Sequence, residues 1–260
     1  MTNNSVCIIT GSGTGIGAAC AIELARRGWR VVVNYSKSRD AAEATAEACR
    51  AAGGEALVVQ ANVARDEDCR RMAEVVLERW GRIDGLVNNA GTTKFINHAD
   101  LDGLSGDDFL SIYATNVVGA FQMIRAVTPA MKRQGAGAVV NMASIAAVMG
   151  NGSSVAYAAS KGALNTMTLS LARALAPEIR INAVCPGFVE TGWLQQGLGA
   201  ERYANAKADY ESRVPLRRAI TPEDVADAVV WLIEGARLVT GESIIIDSGS
   251  HLGGAPLKAR

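Results

Sequence analysis

The sequence has no surplus of either charge: 26 basic and 26 acidic residues leave a formal net charge of zero. No basic tail or stripe is present, so nucleic acid is not an expected partner. Histidine is scarce, and the two present, His98 and His251, lie too far apart in the chain to seed a metal centre. The five cysteines (Cys7, Cys20, Cys49, Cys69 and Cys185) are odd in number and lack metal-ligand spacing. They read as reduced, buried thiols, and no metal is implied. No apolar run reaches the roughly 18 residues of a membrane-spanning helix. The N-terminal MTNNSVCIIT carries no basic residues ahead of its short apolar run. These absences lead us to expect a soluble, cytoplasmic protein without a membrane partner. No internal repeat, low-complexity tract or linker interrupts the 260 residues. With nearly half of them apolar, they suit a single domain over 1–260.

What is present begins with Ser5–Thr10, a short apolar run that reads as a buried strand. Gly11, Ser12, Gly13, Thr14, Gly15, Ile16 and Gly17 follow, and then AACAIELARRG with apolar residues at helical spacing. A glycine turn between strand and helix start offers backbone N–H groups and a helix dipole to a diphosphate. The pattern is G-x-x-x-G-x-G, a variant of the usual dinucleotide spacing. A second strand, Arg30–Tyr35, leads to Asn34-Tyr35-Ser36-Lys37 with no acid before Asp40. A carboxylate in that neighbourhood would mark a free ribose 2′-hydroxyl. Ser36 and Lys37 suit a 2′-phosphate instead, which favours NADP(H) and leaves NAD(H) open; a solvated lysine in a polar turn is the competing explanation.

Further strands are expected over Glu55–Gln60, Asp84–Asn88, Ala138–Ala143, Glu178–Val184 and Glu242–Asp247, alternating with helices that include Arg39–Ala52 and Asp66–Trp80. Such alternation implies an α/β fold, a doubly wound parallel sheet of about seven strands with helices on both faces. Ligands of such sheets sit beyond the carboxyl ends of the strands. The glycine turn, Asn62-Val63 and Asn88-Asn89-Ala90-Gly91 all fall at that edge. The segment from Leu104 to about Gln134 reads as mostly helical, with Asn116 inside it either solvated or used. Residues 188–212, with Trp193, Tyr203 and Tyr210, form a long connection suited to a substrate lid or to packing on a neighbouring subunit. Thr221-Pro222-Glu223-Asp224 is a capped helix start. The tail from Gly249 is expected to fray unless it docks.

The stretch from Ser144 to Lys161 carries the chemistry. Tyr157 and Lys161 are four apart and share one helix face. An ammonium about 4 Å from a phenol at an effective dielectric of about 20 is worth about 4 kcal/mol. The expectation is a tyrosine lowered from about 10 towards neutrality. Such a group gives a proton to a carbonyl oxygen or takes one from an alcohol. A solvated surface pair is the alternative at this spacing.

Together, Thr10–Gly17, Asn88–Gly91, Asn116, Ser144, Tyr157-Ala-Ala-Ser-Lys161 and Pro186-Gly187 resemble the short-chain dehydrogenase/reductase family in order and spacing, from Ser5 to about Gly249. The resemblance implies Tyr157 as general acid/base, with Lys161 lowering its pKa and binding the nicotinamide ribose. Ser144 would hold the substrate oxygen, and Asn116 would support a water linking Lys161 to solvent. The glycine turn would take the diphosphate, Asn62 and Val63 the adenine, and Asn89, Ala90 and Gly91 the ribose region. Pro186, Gly187, Val189 and Thr191 would fix the nicotinamide. Asn62 replaces the family's usual Asp, and Thr14 stands where many NADP-dependent relatives carry arginine. The implied assembly is a homotetramer. The implied activity is interconversion of a carbonyl and a secondary alcohol, with 3-oxoacyl-carrier-protein reductases and sugar or alcohol dehydrogenases as the nearest resemblance. The alternative is a dinucleotide-binding regulator without turnover, disfavoured by the intact set Asn116, Ser144, Tyr157 and Lys161.

Overall fold

The computed structural model describes residues 4–253. Seven strands form one sheet in which every neighbouring pair is parallel: β1 (Val6–Ile9), β2 (Arg30–Tyr35), β3 (Glu55–Gln60), β4 (Gly85–Asn88), β5 (Gly137–Met142), β6 (Ile179–Pro186) and β7 (Ser243–Ile246). Their order is β3-β2-β1-β4-β5-β6-β7. The doubly wound sheet expected from the alternating pattern is therefore present. The chain reverses its direction of growth between β1 and β4, which opens a crevice at their carboxyl ends.

Period-two alternation sorts the core into two layers. In β1, Cys7 and Ile9 pack with helices α1 (Gly15–Arg26) and α10 (Pro222–Val230), while Val6 and Ile8 face α3 (Asp66–Trp80) and α5 (Ala120–Gln134). Helix α2 (Arg39–Ala51) joins the first layer through Ala42, Ala46 and Cys49. All five cysteines are free and buried, as anticipated. Burial pushes the Cys20 and Cys69 thiols up to about 12, so they pack as small apolar groups.

Several element boundaries differ from the expectation. Leu104–Gln134 is mostly helical, as expected, but in three pieces. Helix α4 (Gly106–Tyr113), started by a Ser105–Asp108 capping box, passes into a π-helical stretch at Ala114–Gly119 and then into α5. Strand β6 runs two residues past Val184, because Pro186 at its last position gives up no ladder bond that the sheet needs. Helix α6 (Ala146–Met149) and the long α7 (Val155–Leu175) follow β5. The connection over 188–212 is itself helical, made of α8 (Gly192–Leu198) and α9 (Ala200–Arg213), the latter ending one residue beyond it. The start of the tail docks: Asp247 accepts from the backbone N–H groups of Gly249 (2.9 Å) and His251 (2.6 Å). The rest of the tail, 254–260, lies outside the described residues. Among the described residues no helix is long and apolar enough to cross a membrane, and no group of histidine, cysteine and carboxylate side chains suits a metal.

Candidate active site

At the switch point, the turns after β1 and β4 are stitched to each other. The Thr10 hydroxyl accepts from the backbone N–H groups of Asn89 and Ala90, each at 3.0 Å. The Asn89 amide donates back to the carbonyls of Thr10 (3.0 Å) and Gly11 (2.9 Å). Gly11 (φ +61°) and Gly15 (φ +59°) occupy the left-handed region that favours glycine. A Cβ on Gly17 would lie 2.5 Å from the Asn89 amide nitrogen and 2.8 Å from Gly11 O and Ser12 Cα. Only glycine fits there.

Three of the residues proposed to touch the cofactor are spent inside this turn. The Asn34 side chain, 2 % exposed, accepts from Gly11 N (3.0 Å) and donates to Val59 O (3.2 Å) and Ala61 O (3.1 Å). Ser12 gives its N–H to Asn34 O at 3.0 Å and its hydroxyl to Ile9 O at 2.7 Å. Asn34 and Ser12 thus shape the turn rather than bind through their side chains, because leaving either amide or hydroxyl unpaired in the interior would cost about 1–3 kcal/mol. The Gly11 N–H is likewise committed. The donors left are the first N–H groups of α1, which have no partner within the helix. No acidic residue occupies that first turn. Free N–H groups, positive dipole and missing side chains fit a diphosphate.

Tyr35 packs against the α1 side of the core, and Ser36 and Lys37 are exposed just beyond β2. Asn62 is exposed, but its side-chain Oδ1 already accepts from Ala64 N at 3.1 Å, and its backbone N–H donates to Asp68 at 2.8 Å. That bond holds the Asp68 carboxyl below the usual carboxylate range. Val63 is buried, and its carbonyl accepts from Gln122 at 2.7 Å. It anchors the loop after β3 to the start of α5 instead of lining open space.

The catalytic candidates converge. Ser154 caps α7 by accepting from Tyr157 N (3.2 Å), so Tyr157 and Lys161 occupy the first two turns of that helix. Lys161 Nζ lies 5.5 Å from the Tyr157 ring centroid and donates to Met142 O at 2.6 Å. Ser144 follows β5, and its hydroxyl accepts from Ala146 N at 3.1 Å. A Cβ on Gly91 would touch both Asn116 Oδ1 (3.5 Å) and Lys161 Nζ (3.7 Å), which places the β4 turn against the same group. Asn116 is 1 % exposed and fully engaged: it accepts from Thr92 N (2.8 Å) and donates to Thr92 O and the Ser160 hydroxyl, both at 3.0 Å. Its side chain locks the β4 loop to α7. A water relay has only its backbone to use, and the widened π turn is where carbonyls loosen.

The expected acidification of Tyr157 is not found. Burial pushes its phenol up to about 12, against a smaller pull down from a hydrogen bond with Ser144. Burial also brings the Lys161 ammonium down to about 8. The reason is that the sequence argument counted attraction between two charges but not the cost of removing both from water. The tyrosine therefore keeps its proton at neutral pH.

Across the crevice, Pro186 ends β6 and its carbonyl accepts from Ile145 N at 2.9 Å, which fixes the Ser144 loop. Gly187 donates to Ile246 O at 2.8 Å, and a Cβ there would strike Asp247 and the Tyr210 hydroxyl. Val189 is buried, and Thr191 caps α8 with its methyl facing Gly15 at 3.4 Å from where a Cβ would sit. The Gly187–Thr191 segment and the glycine turn thus form opposite banks. Thr10, Thr92 and Ser160 were missed as organising residues. Thr10 and Ser160 lie inside the quoted motifs and Thr92 directly after one, but nothing local reveals their partners, which are up to 80 residues away.

A crevice with a diphosphate cradle at one end and a proton-bearing tyrosine at the other defines a nicotinamide-dependent carbonyl/alcohol oxidoreductase. Residues 11–251 match the family model described as Enoyl-(Acyl carrier protein) reductase. A Streptomyces violaceoruber protein named as ketoacyl reductase 2 of a granaticin polyketide synthase is 42% identical over 247 residues, covering 95% of this chain and 96% of its own. A short-chain dehydrogenase/reductase structure from Burkholderia xenovorans superposes with TM-score 0.90 at 40% identity, covering 97% of this chain and all of its own. An NAD+-bound xylitol dehydrogenase gives TM-score 0.87 at 32% identity, over 95% and 99% of the two chains. The chain belongs to the short-chain dehydrogenase/reductase family. It is accordingly an oxidoreductase acting on carbonyl and alcohol groups with a nicotinamide cofactor.

Proposed function

We propose that this enzyme reduces a ketone to a secondary alcohol, and the reverse, with Tyr157 as general acid/base. The supporting observation is the convergence of Ser144, Tyr157 and Lys161 beside the β1/β4 crevice. A bound nicotinamide supplies the hydride. Ser144 and Tyr157 hold the carbonyl oxygen, and the phenol, still protonated at neutral pH, gives that oxygen its proton. Lys161 lies close enough to stabilise the phenolate left behind. In the oxidative direction Tyr157 must first lose its proton, so catalysis there depends on the charge of Lys161 and of the bound cofactor. Asn116 is a positioning residue that holds the Thr92 loop against α7.

Gly13 to Gly17 would take the diphosphate, and Asn62 and Val63 would flank the adenine. Asn89–Gly91 would border the ribose, and Pro186, Gly187, Val189 and Thr191 the nicotinamide. NADP(H) is the preferred cofactor in this reading: Lys37 is exposed with no ion-pair partner among the described residues, and Arg39 stands two residues on at the start of α2. The NAD+-bound relative keeps NAD(H) as the competitor. The kinship with a ketoacyl reductase favours keto substrates. Residues 1–260 act as one catalytic domain with a lid over 188–212, assembled as a homotetramer in the cytoplasm. The test is a panel of ketones and alcohols assayed with NADH and NADPH in both directions. Oxidation of NADPH by at least one ketone, faster than of NADH, is the expected result; binding without any turnover across the panel refutes it.

A further inference from the structure

We infer that Phe95 and Trp193, in contact with each other, form a one-sided aromatic clamp, a wall beside the Tyr157 ring whose exposed face selects a flat, cyclic ketone over an open-chain one; the inference deepens the ketone-reductase reading above and rests on it. The Trp193 ring centroid is 5.4 Å from that of Phe95 and 6.3 Å from that of Tyr157, both pairs tilted. These separations lie within the range of interacting aromatic pairs. Trp193 nonetheless remains 45 % exposed, on a helix that buries none of its residues. A large aromatic surface beside the proton donor is left for something other than the core.

The two rings of the clamp are held by the catalytic loop and by each other. Phe95 belongs to a loop bound to the catalytic loop: Ile96 N donates to Ser153 O at 2.9 Å, the Thr93 and Ser153 hydroxyls meet at 2.7 Å, and His98 reaches Gly152 O at 3.2 Å. Those residues immediately precede Ser154, the cap of α7, so Phe95 is registered to Tyr157. Trp193 rides on α8, which meets Phe95 again at Gly197, where a Cβ would fall 2.1 Å from the ring. The phenylalanine ring packs against the bare backbone of α8 at Gly197. Aromatic surface at this place favours a planar substrate, because a rigid ring gains stacking area without losing the rotamer freedom of a chain.

Charge supports the same class. Lys94, the residue before Phe95, is paired with Asp108 at 2.9 Å, and Lys207 on α9 is paired with Glu190 at 2.6 Å. Just after Ser144, α6 exposes Val148 and Met149, an apolar surface. The ketone end of the substrate is therefore uncharged. The reaction remains balanced: ketone, reduced nicotinamide and one proton give alcohol and oxidised nicotinamide.

The test uses α-tetralone and methyl hexyl ketone, a fused-ring and an open-chain ketone of similar size, with the NADPH-loaded enzyme. Trp193→Ala and Gly197→Ala, which displaces the Phe95 ring, should each lower kcat/KM for α-tetralone by about tenfold or more, the effect of lost contact in an apolar pocket. Methyl hexyl ketone should change less than about threefold, and Trp193→Phe should restore much of the loss. A second arm measures the Kd of α-tetralone by isothermal titration calorimetry with NADP+ in place of NADPH, which reads the clamp without turnover and without Trp193 as the reporter. Equal Kd in wild type and Trp193→Ala, or equal loss for both ketones, overturns the clamp. A Kd raised by Trp193→Ala, alongside no reduction of any ketone, upholds the clamp and sinks the reductase reading instead.

Discussion

The turns after β1 and β4 and the segment after β6 face each other across one crevice, yet they are built by opposite means. In the first, nearly every polar side chain is spent: Thr10, Ser12, Asn34, Asn89 and Asn116 are all bonded to backbone groups of distant segments. Glycines bring those backbones into contact, and side chains such as Ser12 are fully buried. In the second, α8 and α9 bury none of their residues. They are held by the Lys207–Glu190 pair, by the rings of Tyr203 and Tyr210 against Phe188, and by the Tyr210 hydroxyl on Asp247 O. One bank is preorganised and the other is free to adapt. A cofactor common to a family needs the former, and a substrate peculiar to one member is served by the latter.

The largest effect should come from the rigid bank. Tyr157→Phe removes the only proton carried by the phenol and should cost at least about a hundredfold in turnover while cofactor affinity holds. Comparable turnover in a steady-state assay would take Tyr157 out of the mechanism. Gly17→Ala should follow. Its methyl meets backbone at Gly11 and Ser12, which cannot move without breaking the turn, so we expect a stability loss of about 1–3 kcal/mol by urea unfolding, with weaker cofactor binding. Retained binding would show the rigid bank to be more yielding than its packing implies.

The pH dependence of stability separates the two regions less sharply. Lys161 is lowered from 10.5 to about 8, so between those values the unfolded chain binds the extra proton and stability rises with pH. Tyr157 is raised from 10 to about 12, so in that higher window the folded chain binds it and stability falls. Lys161→Met should remove the rise above pH 8, measured as the difference from wild type; an unchanged slope would place that ammonium in water. The smallest effect belongs to the adaptable bank. Lys207→Ala loses an ion pair open to solvent, so the unfolding midpoint should stay put while KM for the ketone rises slightly. A large drop in the midpoint would make residues 188–212 part of the framework and erase the distinction.

Legibility followed the same divide. The strands and α3 were readable because buried parallel strands are short apolar runs between turn residues. Tyr157 and Lys161 were readable because helix geometry alone puts them together. Ser12 and Asn34 were assigned to the cofactor although their side chains serve the turn, since nothing in the local pattern reveals a partner 22 residues away. The π-helical stretch at Asn116 was hidden because π and α turns share side-chain periodicity over a single turn. Phe95 was not paired with Trp193, because the two are brought together only when α8 folds back over the β4 loop.

Sequence by itself determined the alternation of strand and helix, the glycine turn, and the four-residue spacing that sets a phenol beside an ammonium. Tertiary structure alone decided which amides are spent and which remain, and on which side of neutrality the tyrosine and lysine titrate. The physical reason is that periodicity and spacing are local properties of the chain. Desolvation and hydrogen-bond satisfaction depend on atoms that only the closed sheet brings near.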